Sequence, residues 1–204
     1  MEWNYGDAYK RYPVESGKEI HVSGGILMAH DIFNPLPEFM KQSDVIFTDS
    51  PWNQGNIRSF YTKAELPFES TFEAFYHRLF ECIAEINPMV CYLEVGKEFL
   101  GEYMVEMKKL YKYVTVYNSM YYHKKENFCY IVQGSQKRKN WHYDGMDEED
   151  IISAVAENED GVFGDLCMGT GLVAQAAARN GKKFVGTELN PKRLAVCLER
   201  LAKL

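Results

Sequence analysis

Gly161-Val-Phe-Gly-Asp165-Leu-Cys-Met-Gly169-Thr-Gly171-Leu-Val-Ala174 reads as a strand that ends in a glycine-containing turn and runs straight into a helix. Glycines belong where a backbone turns tightly and approaches a ligand with no Cβ in the way. A second strand, Lys183–Thr187, follows, and Glu188 ends it 23 residues after Asp165. A carboxylate there can take both hydroxyls of a ribose, the general layout of a nucleotide-type cofactor cradle. Ala174 could stand for the third glycine of a dinucleotide fingerprint. However, only 39 residues follow Asp165, too few for the βα units such a domain still needs. The remaining strands of the sheet must therefore precede the turn.

Upstream, strands and helices alternate, which predicts an α/β fold with a mostly parallel sheet. Val45–Thr48 is a short apolar strand candidate, and Ser70-x-x-Glu73 is a capping-box signature. The helix it opens carries Phe72, Phe75, Tyr76, Leu79, Phe80, Ile83 and Ile86 at helical spacing and stops at Pro88. Met89–Val95 reads as a buried strand, Lys97–Leu110 as a helix, and Tyr113–Tyr121 and Phe128–Gln133 as strands. Residues 134–145 read as a surface loop and Asp147–Glu157 as an acidic helix. Gly161–Leu166 is the strand before the turn, and Leu172–Asn180 is the helix after it. The last helix opens at Asn190-Pro191, a good N-cap and first-turn pair. Glu19–Ala29 predicts a strand or hairpin.

A second constellation, Thr48-Asp49-Ser50-Pro51-Trp52-Asn53, stands at the end of a strand. Ligands of open α/β sheets sit beyond such strand ends, so it can lie beside the glycine turn. A carboxylate and a backbone carbonyl held by proline can accept two hydrogen bonds from an –NH2 group. That arrangement draws the nitrogen lone pair out of conjugation, and a flat Trp52 can stack on the base that carries the amine.

Composition narrows the class. Of 204 residues, 46% are hydrophobic and 25% charged, ordinary for a globular chain. Glu2, Asp7, Lys10 and Arg11 come too early for a signal peptide, and no run reaches membrane-span length. Five scattered cysteines without a C-x-x-C pair predict reduced thiols in a cytoplasmic protein and no zinc site. The net charge of −6 is concentrated in eight acids between Asp144 and Asp160, and without them it becomes +2. Basic groups at Lys108, Lys109 and Lys112, at Lys124 and Lys125, and at Lys137, Arg138 and Lys139 permit nucleic acid without arguing for it.

Together the two motifs resemble the DNA amino-methyltransferases of adenine N6 or cytosine N4, in particular the permuted group whose catalytic motif precedes the cofactor motif. That family usually shows Asp-Pro-Pro-Tyr or Asp-Pro-Pro-Trp, then Asp-Pro-Phe-x-Gly-x-Gly and Gly-x-Lys-Phe-x-Gly-x-Glu-x-x-Pro. Asp165–Gly171 and Gly181-Lys-Lys-Phe184-Val-Gly186-Thr-Glu188-Leu-Asn-Pro191 match the second pair closely. The specific likeness covers roughly Gly25–Trp52 and Gly161–Leu204. It implies a Rossmann-like S-adenosylmethionine methyltransferase sheet, mostly parallel with one antiparallel strand and with helices on both faces. It also implies one catalytic domain over 1–204 and adenine N6 in DNA as target, with cytosine N4, RNA adenine or a non-catalytic cofactor-binding subunit as alternatives.

The implied catalytic set is Asp49, Ser50, Pro51 and Trp52, with no metal. The implied cofactor set is Asp31 (adenine), Asp49, Asp165, Cys167, Gly169 and Gly171 (methionine end), Glu188 (ribose) and Leu189. Three departures stand out. Ser50 replaces the first motif proline, an acidic stretch replaces the usual Lys-Pro before the cofactor motif, and only about 27 residues separate Gln133 from Gly161. That interval leaves no room for a separate target-recognition domain. Selectivity is then expected from the loop Asn53–Leu66 (Asn53, Arg58, Phe60, Tyr61, Lys63), the basic loop Lys137–Trp141 (Lys137, Arg138), or a second subunit, either a homodimer mate or a specificity partner.

Overall fold

The computed structural model describes residues 5–124 and 126–204; Glu2 and Lys125 lie outside the described residues. These form one eight-stranded sheet in the order β1-β2-β8-β7-β3-β4-β6-β5. The strands are β1 (Glu19–Val22), β2 (Gly25–Ala29), β3 (Val45–Asp49), β4 (Val90–Val95), β5 (Tyr113–Met120), β6 (Phe128–Ser135), β7 (Phe163–Asp165) and β8 (Phe184–Glu188). β2, β8, β7, β3 and β4 run parallel; β6 is antiparallel to β4 and β5, and β1 is antiparallel to β2. The α/β class and the mostly parallel sheet are as expected, and beside the one antiparallel strand that the resemblance implied there is a second, with β6 and β1 both running against the parallel set.

The helices are α1 (Ala8–Arg11), α2 (Gln54–Lys63), α3 (Phe72–Ile86), α4 (Leu100–Leu110), α5 (Glu148–Asn158), α6 (Leu172–Arg179) and α7 (Pro191–Leu201). Strand side chains alternate between two cores because successive Cβ atoms point to opposite faces. Val45, Phe47, Val90 and Tyr92 face a core closed by α5, α6 and α7. Ile46, Cys91, Leu93 and Val95 face a second one closed by α2, α3 and α4.

Several boundaries moved. Residues 54–63, expected as loop, are helical: Asn53 caps α2 by accepting the Asn56 N–H (3.0 Å), and Ile57 and Tyr61, one turn apart, bury a common face. The cap of α3 is Thr71 rather than Ser70. Its side chain accepts the Ala74 N–H (3.2 Å), while Gln54 Oε1 takes the Phe72 N–H (2.6 Å) and joins the start of α3 to α2. β7 is three residues long because side chains replace the ladder at both ends. Asp44 Oδ2 accepts the Val162 N–H (2.9 Å), and Thr48 Oγ1 accepts the Leu166 N–H (3.1 Å).

The chain leaves β3 toward β4 and leaves β7 toward β8, in opposite directions across the sheet. The order therefore reverses between β3 and β7, where open α/β sheets leave a crevice beyond their strand ends. Leu79, fully buried on α3, anchors the helix that closes the second core beside this point. Leu79→Ala is expected to cost about 2–5 kcal/mol of unfolding free energy, read as a lower urea midpoint at unchanged slope.

Candidate active site

The crevice is an open cleft beyond the strand ends, where open α/β sheets hold their ligands. Both motifs line it: Asp49 and Pro51 after β3, and Asp165, Leu166, Cys167, Met168, Gly169 and Thr170 after β7. Glu188 and Leu189 close the far end. A direct crosslink holds the two motifs together. The Thr48 hydroxyl donates to Asp165 Oδ1 (3.2 Å), and the same carboxylate oxygen accepts the Cys167 N–H (3.0 Å).

Asp49 ends β3 with its side chain facing the cleft, and Trp52 Nε1–H donates to its Oδ1 (3.3 Å). The indole is set against the Gly96 backbone, where a Cβ would come within 3.1 Å of the ring, and edge-on to Tyr121 at 5.5 Å. Trp52 thus orients the carboxylate, a role beyond the stacking expected of it. Ser50 is buried, and its hydroxyl shares a hydrogen bond with Tyr103 of α4 (3.2 Å). This tether supplies order that a proline ring would otherwise impose on φ.

Glu188 is buried and accepts two backbone hydrogens, from Gly169 (Oε2, 2.7 Å) and Asn190 (Oε1, 2.9 Å). A carboxylate has further lone pairs, so hydroxyl donors from the cleft can still be accommodated. Gly169 (φ +54°) faces the cleft beneath Arg193, whose guanidinium would lie 2.6 Å from an added Cβ. Gly171 (φ +83°) is needed for a different reason than expected: a Cβ there would meet Cys197 Sγ of α7 at 2.2 Å, so it serves helix packing. Asp31 stands at the rim, accepting the Tyr61 hydroxyl (2.6 Å) and the Phe33 N–H (3.0 Å).

The residues expected to meet substrate divide into separate groups. Asn53 is occupied as a helix cap, Arg58 is exposed on α2, and Tyr61 is a buried cleft wall. The Lys63 ammonium sits 5.8 Å from the Phe60 ring, near Arg193. Lys137 and Arg138 are not brought to the cleft. They follow the end of β6, which pairs with the start of β4, and the adjacent Gln136 N–H donates to the Met89 carbonyl (3.2 Å). This is the opposite edge of the parallel strands from Asp49, because β6 runs antiparallel. At the cleft edge stands the turn after β5 instead, with Tyr122 (φ +58°) and His123 (φ +52°) in left-handed conformation and Tyr122 65% exposed. The His123 N–H is held by Asp147 Oδ2 (2.6 Å).

Three charged lining groups escaped the sequence reading: Glu94, Glu148 and Arg193. Glu94 left a signal, a lone acid inside the apolar strand Val90–Val95. Glu148 was hidden in an acid run that reads as solvated helix. Burial raises Asp49, with Arg193 and the Trp52 bond opposing. Burial and the facing Asp49 carboxylate hold Glu94 well above its ordinary value. Burial pushes Asp165 up to about 8 despite its bonds from Cys167 and Thr48.

No family model matches the sequence, and no curated protein matches it. Solved structures do. The candidate DNA modification methylase TTHA0409 of Thermus thermophilus aligns at TM-score 0.58 and 18% identity, over 80% of this chain and 88% of that one. M1.HpyAVI, in its complex with SAM, aligns at 0.58 and 13%, over 85% and 98%. The cytosine-N4-specific PvuII DNA methyltransferase aligns at 0.61 and 11%, over 91% and 90%. This chain therefore has the α/β fold of these methyltransferases.

Asp165 ionises near the ordinary carboxylate value when unfolded but near 8 when folded. The stability it contributes is complete below pH 4 and falls as pH rises toward 8. Asp165→Asn keeps an oxygen acceptor for both donors and should flatten the decline of melting temperature between pH 5 and 8. A variant with the wild-type slope would refute this assignment.

Proposed function

We infer that the protein transfers a methyl group from S-adenosylmethionine to an exocyclic amino group of a DNA base, adenine N6 in the first instance. The observation that carries this reading is the convergence of Asp49 and Pro51 with the turn from Asp165 to Thr170 in one cleft at the sheet's reversal point. The residues present fit the cofactor: Gly169 leaves bare backbone, Glu188 offers a buried carboxylate for ribose hydroxyls, and Leu189 and Ile32 provide apolar walls. Arg193 would meet the cofactor carboxylate, while Asp31 and Tyr61 close the rim on the adenine side. When bound, S-adenosylmethionine would supply an electrophilic methyl on a sulfonium.

Asp49 and the Ser50 carbonyl would take the two amine hydrogens and aim the nitrogen lone pair into the cleft. The nitrogen, so aimed, would be the nucleophile for that methyl, and Asp49 would pass the surplus amine proton to water. Positioning and preorganised hydrogen bonds carry such a step. A duplex base must first be flipped out, and the exposed Tyr122 and Arg58 flank the route it would take. All of residues 1–204 serve this one catalytic domain, in our reading, and selectivity comes from these rim groups or from a second subunit. The PvuII likeness keeps cytosine N4 as the second reading.

Incubation with labelled S-adenosylmethionine and either DNA or RNA, followed by nucleoside mass spectrometry, tests both. The expected product is N6-methyladenine in DNA, with Asp49→Ala slower by roughly 10²–10³-fold. Label in N4-methylcytosine selects the second reading, and no label in any polymer overturns both. In calorimetry Glu188→Ala should weaken cofactor binding by roughly 10- to 100-fold, the loss of charge-assisted hydrogen bonds; unchanged affinity removes Glu188 from the ribose site.

A further inference from the structure

Glu148 is the first residue of α5 and lines the cleft together with Ile152, one turn further along the same helix. It is only 8% exposed, yet its Oε2 has no hydrogen-bond partner. Leaving such an atom unmet costs free energy, which makes it an oxygen set to meet a ligand. The cleft it faces is the one that holds Asp49 and Glu94, which stand opposite each other in the β3–β4 register. Among the described residues, no group of His, Cys, Asp and Glu is arranged to hold a metal ion.

We propose that Glu148, as a neutral carboxylic acid, reads the target base by donating a hydrogen bond to the ring nitrogen beside the reactive amine. The inference rests on the methyltransferase reading and deepens it. Adenine and cytosine both present an acceptor nitrogen next to their amino group, N1 and N3 respectively, whereas guanine presents an N–H on that edge. With Asp49 and the Ser50 carbonyl taking the amine hydrogens, an acid at the next position completes recognition of that edge and rejects guanine. Burial and the neighbouring Asp147 and Asp49 push Glu148 up to about 7, against hydrogen bonds from the Glu148 and Tyr122 backbone, so the proton is fully held only below neutral pH. The titratable groups that face it are Asp147 on its own helix, Asp49 on β3, Glu94 on β4, Cys129 on β6 and Tyr122 in the turn after β5.

The test pairs an atom of the substrate with a residue of the protein. Methyl transfer is measured on oligonucleotides carrying adenine or 1-deazaadenine, or cytosine and 3-deazacytosine if that is the base methylated. The deaza bases replace the acceptor nitrogen by C–H. Wild type should prefer the natural base by roughly 10-fold or more, the usual effect of one buried unpaired donor. Glu148→Ala should lose the preference to within about 2-fold, and Glu148→Gln, which retains an N–H donor, should restore it. The wild-type preference should fade above pH 7 as the acid ionises, while that of Glu148→Gln should not. Equal preference in wild type and Glu148→Ala overturns the inference and leaves the methyltransferase reading intact. No transfer by wild type to any natural base overturns both.

Discussion

Thr48 donates its hydroxyl hydrogen to Asp165 and accepts the Leu166 N–H, and this exchange fixes the cleft. The residues involved lie 117 and 118 positions apart in sequence. They are neighbours because β3 and β7 are adjacent parallel strands that the chain leaves in opposite directions. Short β7 contributes few ladder bonds, so side-chain bonds at its two ends keep it in register. The Asp49 motif and the glycine turn inherit their mutual position from that crosslink.

Around it the site is built from acids restrained by donors, Asp165 and Glu188 buried and Asp49 open to the cleft. Asp49 is oriented by Trp52, Asp165 by Thr48 and Cys167, and Glu188 by the backbone of Gly169 and Asn190. Arg193 is the cation that offsets Asp49 and Glu188. Burying this many carboxylates raises their proton affinity, since a low-dielectric wall disfavours the ionised form. The acids of the cleft therefore hold their protons more tightly than exposed carboxylates do.

Much of this was legible along the chain. Apolar spacing located α3, glycine placement located the turn after β7, and Asn190-Pro191 located the start of α7, since each depends on contacts within a few residues. The rule that ligands sit beyond strand ends also allowed Asp49 to lie beside the glycine turn, but that β3 and β7 are neighbours came from the fold. The misreadings are of another kind. Asn53–Leu66 carries Ile57 and Tyr61 one turn apart, a helical signal overlooked beside the polar Gln54, Asn56, Arg58 and Thr62. Gly171 fits a ligand motif, yet the atom that excludes its Cβ belongs to Cys197 on a different helix.

The sequence by itself determined the α/β alternation and the order and composition of the two motifs, because these follow from periodicity and local chemistry. Only the tertiary structure decided which distant groups share the cleft. An acid in a charged run reads as solvated until the fold buries it, as it does Glu148. A basic loop reads as a partner for substrate until the antiparallel direction of β6 carries Lys137 and Arg138 to the far edge of the sheet. The physical reason is that burial and strand direction are set by pairings between segments far apart in the chain, which no local pattern encodes.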